Sequence, residues 1–436
     1  MAGRLAVCAA LRVRGPERLS CRLPGDALVT RGRQRHSRSL LVCSKVHLSS
    51  LHDTQHLQVQ DDFFTHLHVR GQEMEGSLSL LLLLSARRDD TTSIHHLLEQ
   101  AKGAGVRPSG YTMEKLLNTY IKRKHLSTAV SLYGSIRREY SEAPLEHCTV
   151  LHFCTMLVES EKCMEAMHTL REFVETGKTP EVPPKNTAEN CKVLLSKAAE
   201  VGGYEVAKEM FELLLLGRLV DPGPQIVAPL LQCKLDRSDL PGCIEVAEYI
   251  YKTFNTLPKR MEILIRLMQH NPPTEENLLP VLRRDGSQAQ QGSDLLGHMF
   301  ELVQACYGPA QAQHDLLFAS LESGYPAAAR LVLQTLGGDV DSHQILRMCK
   351  IYAKNQREVA LKHLLVASKG MTNIDRLRIY ELLLDAYSLS NKEAGEKALC
   401  LWTSIQEEGL TPSSTFLSNL ATLLEKCDIK VPFDVQ

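Results

Sequence analysis

A chain of 436 residues with 50 Lys plus Arg against 51 Asp plus Glu has no overall field to gather a polyanion, so any nucleic acid it holds must meet local patches. Hydrophobic residues make up 44% but aromatics only 5%, with Trp402 the single tryptophan; such Leu- and Ala-dominated apolar content suits thin helix-on-helix seams better than one thick core. Thirteen cysteines lie scattered without C-x-x-C pairs, the tightest groups being Cys148, Cys154 and Cys163, and Cys233 with Cys243. Most fall in apolar helical segments, so they read as inert core thiols in a reducing compartment and exclude a disulfide scaffold.

Residues 1–50 carry nine arginines, from Arg4 to Arg38, against only Glu17 and Asp26. That is the composition of an organelle transit peptide, or of a disordered basic tail; no uninterrupted apolar stretch follows the first charges as a secretory signal requires. Residues 51–74 read as a linker or a partial helix. The longest apolar run, Leu80 to Leu84, is far short of the ~20 residues of a membrane-spanning helix.

From residue 75 to 430 amphipathic segments of about 12 to 15 residues alternate with short polar turns, and almost nothing alternates with the period of a strand, which predicts an all-α chain. The clearest unit runs from Gly110 to Tyr140. Met113, Leu116, Leu117, Tyr120 and Ile121 form one apolar stripe, Lys122 to His125 a polar turn, and Leu126, Ala129, Val130, Leu132, Tyr133 and Ile136 a second stripe. Ala129 marks the closest approach of the two helices, where a bulky side chain would force them apart. The preceding segment closes through Gly103, Gly105, Pro108 and Ser109, and IQEEGLTPS at Ile405 to Ser413 repeats that ending. Two such endings mark a repeat boundary.

These units resemble pentatricopeptide repeats, whose pattern of roughly 35 residues has a first-helix Leu, a Gly at the turn, an early second-helix Ala and a Gly-apolar-Lys-Pro-Asp ending. The matching residues are Leu81 with Pro108 and Ser109; Leu116 with Ala129; Leu194 with Gly202 and Ala207; Leu316 with Gly324 and Ala329; Asn355 with Ala360; and Leu383 with Ala398, Pro412 and Ser413. Extra residues precede Ala166 and lie at Asn391 to Gly395, and Thr256 to Asp294 resists registration. Tetratricopeptide repeats share the second-helix alanine but favour a Trp/Leu-Gly/Tyr set in the first helix, whereas Trp402 sits in a second helix. The segment KALCLWTSIQEEGLTPSSTFLSNLATLLEKCDIKVPFDVQ, with VAEYIYKTFNTLPK and HDLLFASLESGYPAAARLVLQT before it, is similar to the leucine-rich pentatricopeptide-repeat family of metazoan mitochondria. That family's chains are much longer, so this sequence is expected to be a fragment, a truncated gene model or a short relative.

The resemblance implies an α-solenoid of stacked hairpins, a right-handed superhelix whose first helices line a groove for single-stranded RNA, one unit to a nucleotide. It places base-reading side chains at the fifth residue of each first helix and the last residue of the loop. Here those are Ser79 with Ser109, Glu114, Lys192, His314, Ile345, Glu381 with Ser413, and Ser418. Only Ser79 with Ser109 is close to a normal reading pair; Glu114, Ile345 and Glu381 suit a base edge poorly. Phosphate contacts are expected from Lys122, Arg123 and Lys124 with His125, and from Arg137 with Arg138, Lys259 with Arg260, and Arg283 with Arg284.

No phosphate loop, dinucleotide-binding glycine motif, zincin helix or nucleophile elbow is present, and no nuclease or deaminase module is recognisable. His66 with His68 and His95 with His96 lack a second ligand pair, so neither metal nor cofactor is expected. The resemblance implies a non-catalytic scaffold in the mitochondrial matrix, allowing a nuclear pool, that acts on messenger-RNA stability, polyadenylation and translation. Its implied partners are mitochondrial messenger RNA and a stem-loop-interacting RNA-binding protein with an RNA-recognition fold. The weak reading positions and neutral charge leave a second reading, a protein-interaction solenoid with no RNA contact.

Overall fold

A computed structural model of the chain describes residues 73–88, 90–140, 145–176, 180–282, 294–336, 341–389 and 394–433; the predicted transit segment, most of the linker and the end of the C-terminal tail lie outside them. Among the described residues there are twenty helices and no strand. The chain divides at Met156/Leu157 into two units.

The first unit holds α1 (Glu73–Arg88), α2 (Thr91–Gly103), α3 (Gly110–Lys122), α4 (Leu126–Glu139) and most of α5 (His147–Glu159). The stripes read from the sequence point inward: Met113, Leu116, Leu117, Tyr120 and Ile121 on α3 are buried, as are Ala129, Leu132, Tyr133 and Ile136 on α4. Leu126 and Val130 are only half-buried. In the first hairpin the buried position is one residue later than the sequence match suggested: Leu82 is wholly buried and Leu81 only half so, because Leu82, one turn on from the buried Leu78, falls on the inward side of α1.

The second unit continues with α6 (Cys163–Thr176), α7 (Thr187–Val201), α8 (Gly203–Leu216), α9 (Pro224–Asp236), α10 (Leu240–Phe254), α11 (Arg260–His270), α12 (Glu275–Leu282), α13 (Leu295–Tyr307), α14 (Pro309–Glu322), α15 (Pro326–Leu336), α16 (Ser342–Lys354), α17 (Glu358–Ala367), α18 (Arg376–Ser388), α19 (Ala394–Glu407) and α20 (Ser414–Lys426). First helices pack on first helices (α7 on α9, α16 on α18, α18 on α20) and second on second (α6 on α8, α15 on α17), so each hairpin buries its apolar side on its neighbour. The second-helix alanines sit at these seams, with Ala166, Ala207, Ala329 and Ala398 wholly buried and Ala360 nearly so.

Bonds between neighbouring hairpins expose the period. Thr187 Oγ1 donates to the Leu219 carbonyl 32 residues on, Cys233 Sγ to the Ala199 carbonyl 34 back, and Gln344 Nε2 to Gln311 Oε1 33 back. Across Thr256 to Asp294 the spacing lengthens: Ser320 Oγ reaches Met268 Sδ 52 residues back and Arg260 pairs with Asp315 at 55. The cause is α12, an extra short helix lying between α11 and its partner α13; α12 packs on α13 and α15. Hence the sequence of that stretch resisted registration.

One turn closes helices throughout. At nine helix ends among the described residues a left-handed residue is followed by an N–H that bonds the carbonyl five positions back, as in Val106 to Ala101 (2.8 Å), His125 to Tyr120 (3.0 Å) and Leu410 to Ile405 (3.1 Å). Gly105, Gly324 and Gly409 occupy three of these left-handed positions; Lys124, Glu161, Arg218, Ser238, Gln356 and Asp428 hold the others. Side chains with a Cβ there carry a cost of order 1 kcal/mol, and without glycine most of these turns leave no sequence signal.

Five of the ten described cysteines are buried, and burial pushes the thiols of Cys154, Cys243 and Cys349 up to about 12, as expected of inert core thiols. Cys400 departs from that expectation: it is exposed on α19.

Candidate nucleic-acid interface

Serine before a helix caps it. Ser109, extended at φ −67°, accepts from the Thr112 N–H (3.3 Å), and Ser413, at φ −71°, accepts from the Phe416 N–H (3.1 Å). The residues expected to read bases meet these caps from the preceding hairpin. Thr112 Oγ1 donates to Ser79 Oγ (2.8 Å) and lies 2.9 Å from Ser109 Oγ, so Ser79 and Ser109 do come together, joined through Thr112. Ser413 Oγ donates to Glu381 Oε1 (2.9 Å), and Glu381 also pairs with Arg378.

Glu114 follows the same geometry from inside. Only 8% exposed, its carboxylate accepts from the Glu146 N–H (3.0 Å) and from Thr149 Oγ1, which in turn accepts from Asn118 Nδ2 (2.8 Å). A carboxylate engaged in this way is a strut between α3 and α5, not a free base reader. Glu114→Ala would leave the Glu146 amide and the Thr149 hydroxyl without their acceptor, an expected loss of about 1–3 kcal/mol in urea denaturation.

Two further expectations are corrected. His314 is 1% exposed, with Nδ1 2.6 Å from the Ala310 carbonyl, and Ile345 is 3% exposed, so neither presents a surface to a base. Both stand on the apolar side of their helices; a fixed count from the helix start takes no account of where that side falls. Lys192 remains accessible, 3.4 Å from Glu189, and Ser418 is exposed.

The basic clusters separate by partner. Lys259 pairs with Glu262 (3.0 Å), while Arg260 pairs with the buried Asp315 and lies 4.5 Å from the Tyr307 ring centroid, a structural anchor across the insertion. Arg138 is exposed and Arg137 half-buried; Arg283 and Arg284 lie outside the described residues. The Lys122–Lys124 turn is the most developed. Arg123 Nη2 donates to the Arg87 carbonyl, which sets the end of α3 beside the end of α1. Arg87, Arg88, Lys122 and Lys124, all exposed, thus gather with Arg123 on one edge of the first unit. Arg87 and Arg88 were not among the residues expected from the sequence. Their only signal is that they precede Lys122 and Arg123 by one repeat length.

No family model matches the chain. It is 26% identical over 326 residues to the leucine-rich PPR motif-containing protein, mitochondrial, of Xenopus tropicalis, which covers 74% of this chain and 22% of that protein. To the mouse protein of the same name it is 27% identical over 243 residues, 56% of this chain and 16% of that one. The chain therefore spans about a fifth of the length of these curated relatives. Among solved structures it is similar to the maize pentatricopeptide repeat protein PPR10 in complex with an 18-nt psaJ RNA element, at 15% identity and a TM-score of 0.29, covering 86% of this chain and 65% of that one.

Proposed function

We propose that this chain is a non-catalytic RNA-binding repeat scaffold of the mitochondrial matrix, gripping single-stranded RNA through its phosphates. The sequence likeness to proteins named as mitochondrial leucine-rich PPR proteins supports the compartment and the class. The observation that carries the mode of binding is the edge of the first unit, where Arg123 docks on the Arg87 carbonyl and collects the cations of two successive helix ends. A line of cations neutralises phosphates without regard to sequence, and the affinity it supplies falls steeply with salt. Base reading is the weaker component, because Ser79, Ser109, Glu114, Glu381 and Ser413 are bonded to neighbouring hairpins. Lys192 and Ser418 are the accessible first-helix positions left for it. By the same resemblance the scaffold acts in messenger-RNA stability, polyadenylation and translation beside a stem-loop-interacting protein with an RNA-recognition fold.

Fluorescence anisotropy of a labelled single-stranded RNA at several salt concentrations tests the reading. Arg88→Gln/Lys122→Gln/Lys124→Gln, which spares the docked Arg123, is expected to make the plot of log affinity against log salt shallower by about 2, at roughly 0.7 for each phosphate no longer neutralised. Absence of binding by the unaltered chain at low salt would favour a purely protein-binding solenoid.

A further inference from the structure

Charge is not spread evenly over this chain. Residues 1–50 hold ten of the 50 Lys and Arg but two of the 51 Asp and Glu, which leaves residues 51–436 with 40 against 49, a net charge of −9. Part of that excess gathers on three second helices of the second unit. Helices α6, α8 and α10 carry eight glutamates and three Lys or Arg, whereas the first helices between them in the chain, α7 and α9, carry three charges of each sign.

The exposed sides of these helices join into one face. On α8, Glu205, Glu209, Glu212 and Leu216 recur at i, i+4, i+7 and i+11, a stripe opposite the buried Ala207, Met210, Phe211 and Leu214. Met164 and Glu175 lie on the matching stripe of α6, and Glu245 and Glu248 on that of α10. Arg171 of α6 pairs with Glu209 of α8, and Lys208 of α8 lies 5.4 Å from the ring centroid of Tyr249 on α10, so the three stripes are contiguous. The cations of this face are already engaged: Arg171 by Glu209, Lys252 by Glu248 (2.6 Å), and Lys208 by the rings of Tyr249 and, at 5.9 Å, Tyr204. Glu175, Glu205, Glu212 and Glu245 are exposed and form no ion pair among the described residues.

We propose that this face of α6, α8 and α10 docks an arginine-rich, acid-poor segment of a partner protein. Carboxylates dispersed over three helices suit a run of cations, not one ion; among the described residues no group of three His, Cys, Asp or Glu converges to hold a metal. Arginine fits in particular because Tyr204 and Tyr249 already take ammonium groups against their rings, and a guanidinium stacks on such rings while pairing with a carboxylate. Met164, 73% exposed, and Leu216, 56% exposed, add apolar contacts for leucines set among the arginines. Nucleic acid and anionic lipid are repelled by the same charge. The inference is independent of the RNA-binding reading, which rests on cations elsewhere.

The test uses the whole chain and a fluorescein-labelled peptide of about 18 residues built of Leu-Arg-Arg triplets, followed by anisotropy at about 50 mM salt. Glu205→Lys/Glu212→Lys/Glu245→Lys is expected to weaken binding by about tenfold or more, while Glu205→Asp/Glu212→Asp/Glu245→Asp keeps it. Glu396→Lys/Glu407→Lys/Glu425→Lys, the same change in net charge on α19 and α20, should leave the affinity within about twofold. Should the reversal disturb folding, as circular dichroism would show, Glu205→Gln/Glu212→Gln/Glu245→Gln is expected to weaken binding severalfold. Equal losses in the two lysine variants would reduce the effect to overall charge and overturn the site. Binding that appears only after Arg31→Gln/Arg33→Gln/Arg35→Gln/Arg38→Gln in the chain itself would make residues 1–50 the occupant and overturn the assignment to a partner. No binding by either chain would overturn it as well.

Discussion

Phe211→Ala is expected to cost about 3–5 kcal/mol, the range for deleting a buried aromatic ring. Phe211 on α8 is wholly buried and meets Phe254 of α10 edge to face, ring centroids 5.5 Å apart, so it ties one hairpin to the next. Its neighbours Met210 and Leu214 are also wholly buried, and backbone stacked on both sides cannot collapse into the space. In a stack where each hairpin contacts only those nearby, such damage stays local. Urea denaturation should therefore show an earlier transition for the region around α7–α10 rather than a uniform shift of one curve. A single transition of unchanged midpoint would contradict both the packing role and the one-dimensional character of the fold.

Arg376→Ala should be nearly as severe, on the order of 3 kcal/mol. Arg376 begins α18 with its side chain only 10% exposed; it pairs with Glu408, itself 20% exposed, and donates to the Leu365 carbonyl and to the buried Ser368 hydroxyl (2.9 Å). Without the guanidinium, Glu408 would keep only the Tyr380 hydroxyl at 3.0 Å. Breaking one half of a shielded pair strands the other half, which is costlier than never forming it. Burial raises the Glu408 carboxyl, but the hydrogen bonds from Arg376 and Tyr380 outweigh it and hold the group below the ordinary carboxylate value. Its stabilisation is thus complete above that ordinary value and fades as pH falls through the lower folded one. The gap in melting temperature between the native chain and the Arg376→Ala variant should narrow as pH falls below the ordinary glutamate value of about 4.3.

The hairpins, and the closing turns at Gly105 and Gly409, were legible in the sequence because apolar periodicity and glycine act over a few residues. The six left-handed turns without glycine were hidden, since Lys124 or Gln356 adopts that conformation only where stacked neighbours fix the helix end. The insertion of α12 was hidden too: its short segment reads as an ordinary helix, and only its packing on α13 and α15 shows that it stands outside the repeat. At the candidate interface, counting positions named Ser79 and Ser109, which the structure joins through Thr112, and His314 and Glu114, which it buries. Whether a side chain meets solvent or the next hairpin depends on helix rotation, and the count does not encode it.

Sequence alone thus determined the all-helical character, the period and the small residues at each seam, because helix propensity and apolar spacing operate within one or two turns of chain. The tertiary structure decided which polar groups remain free. Glu114 became a strut because residues about 30 to 40 positions apart were brought together, and that pairing exists only once the hairpins have stacked.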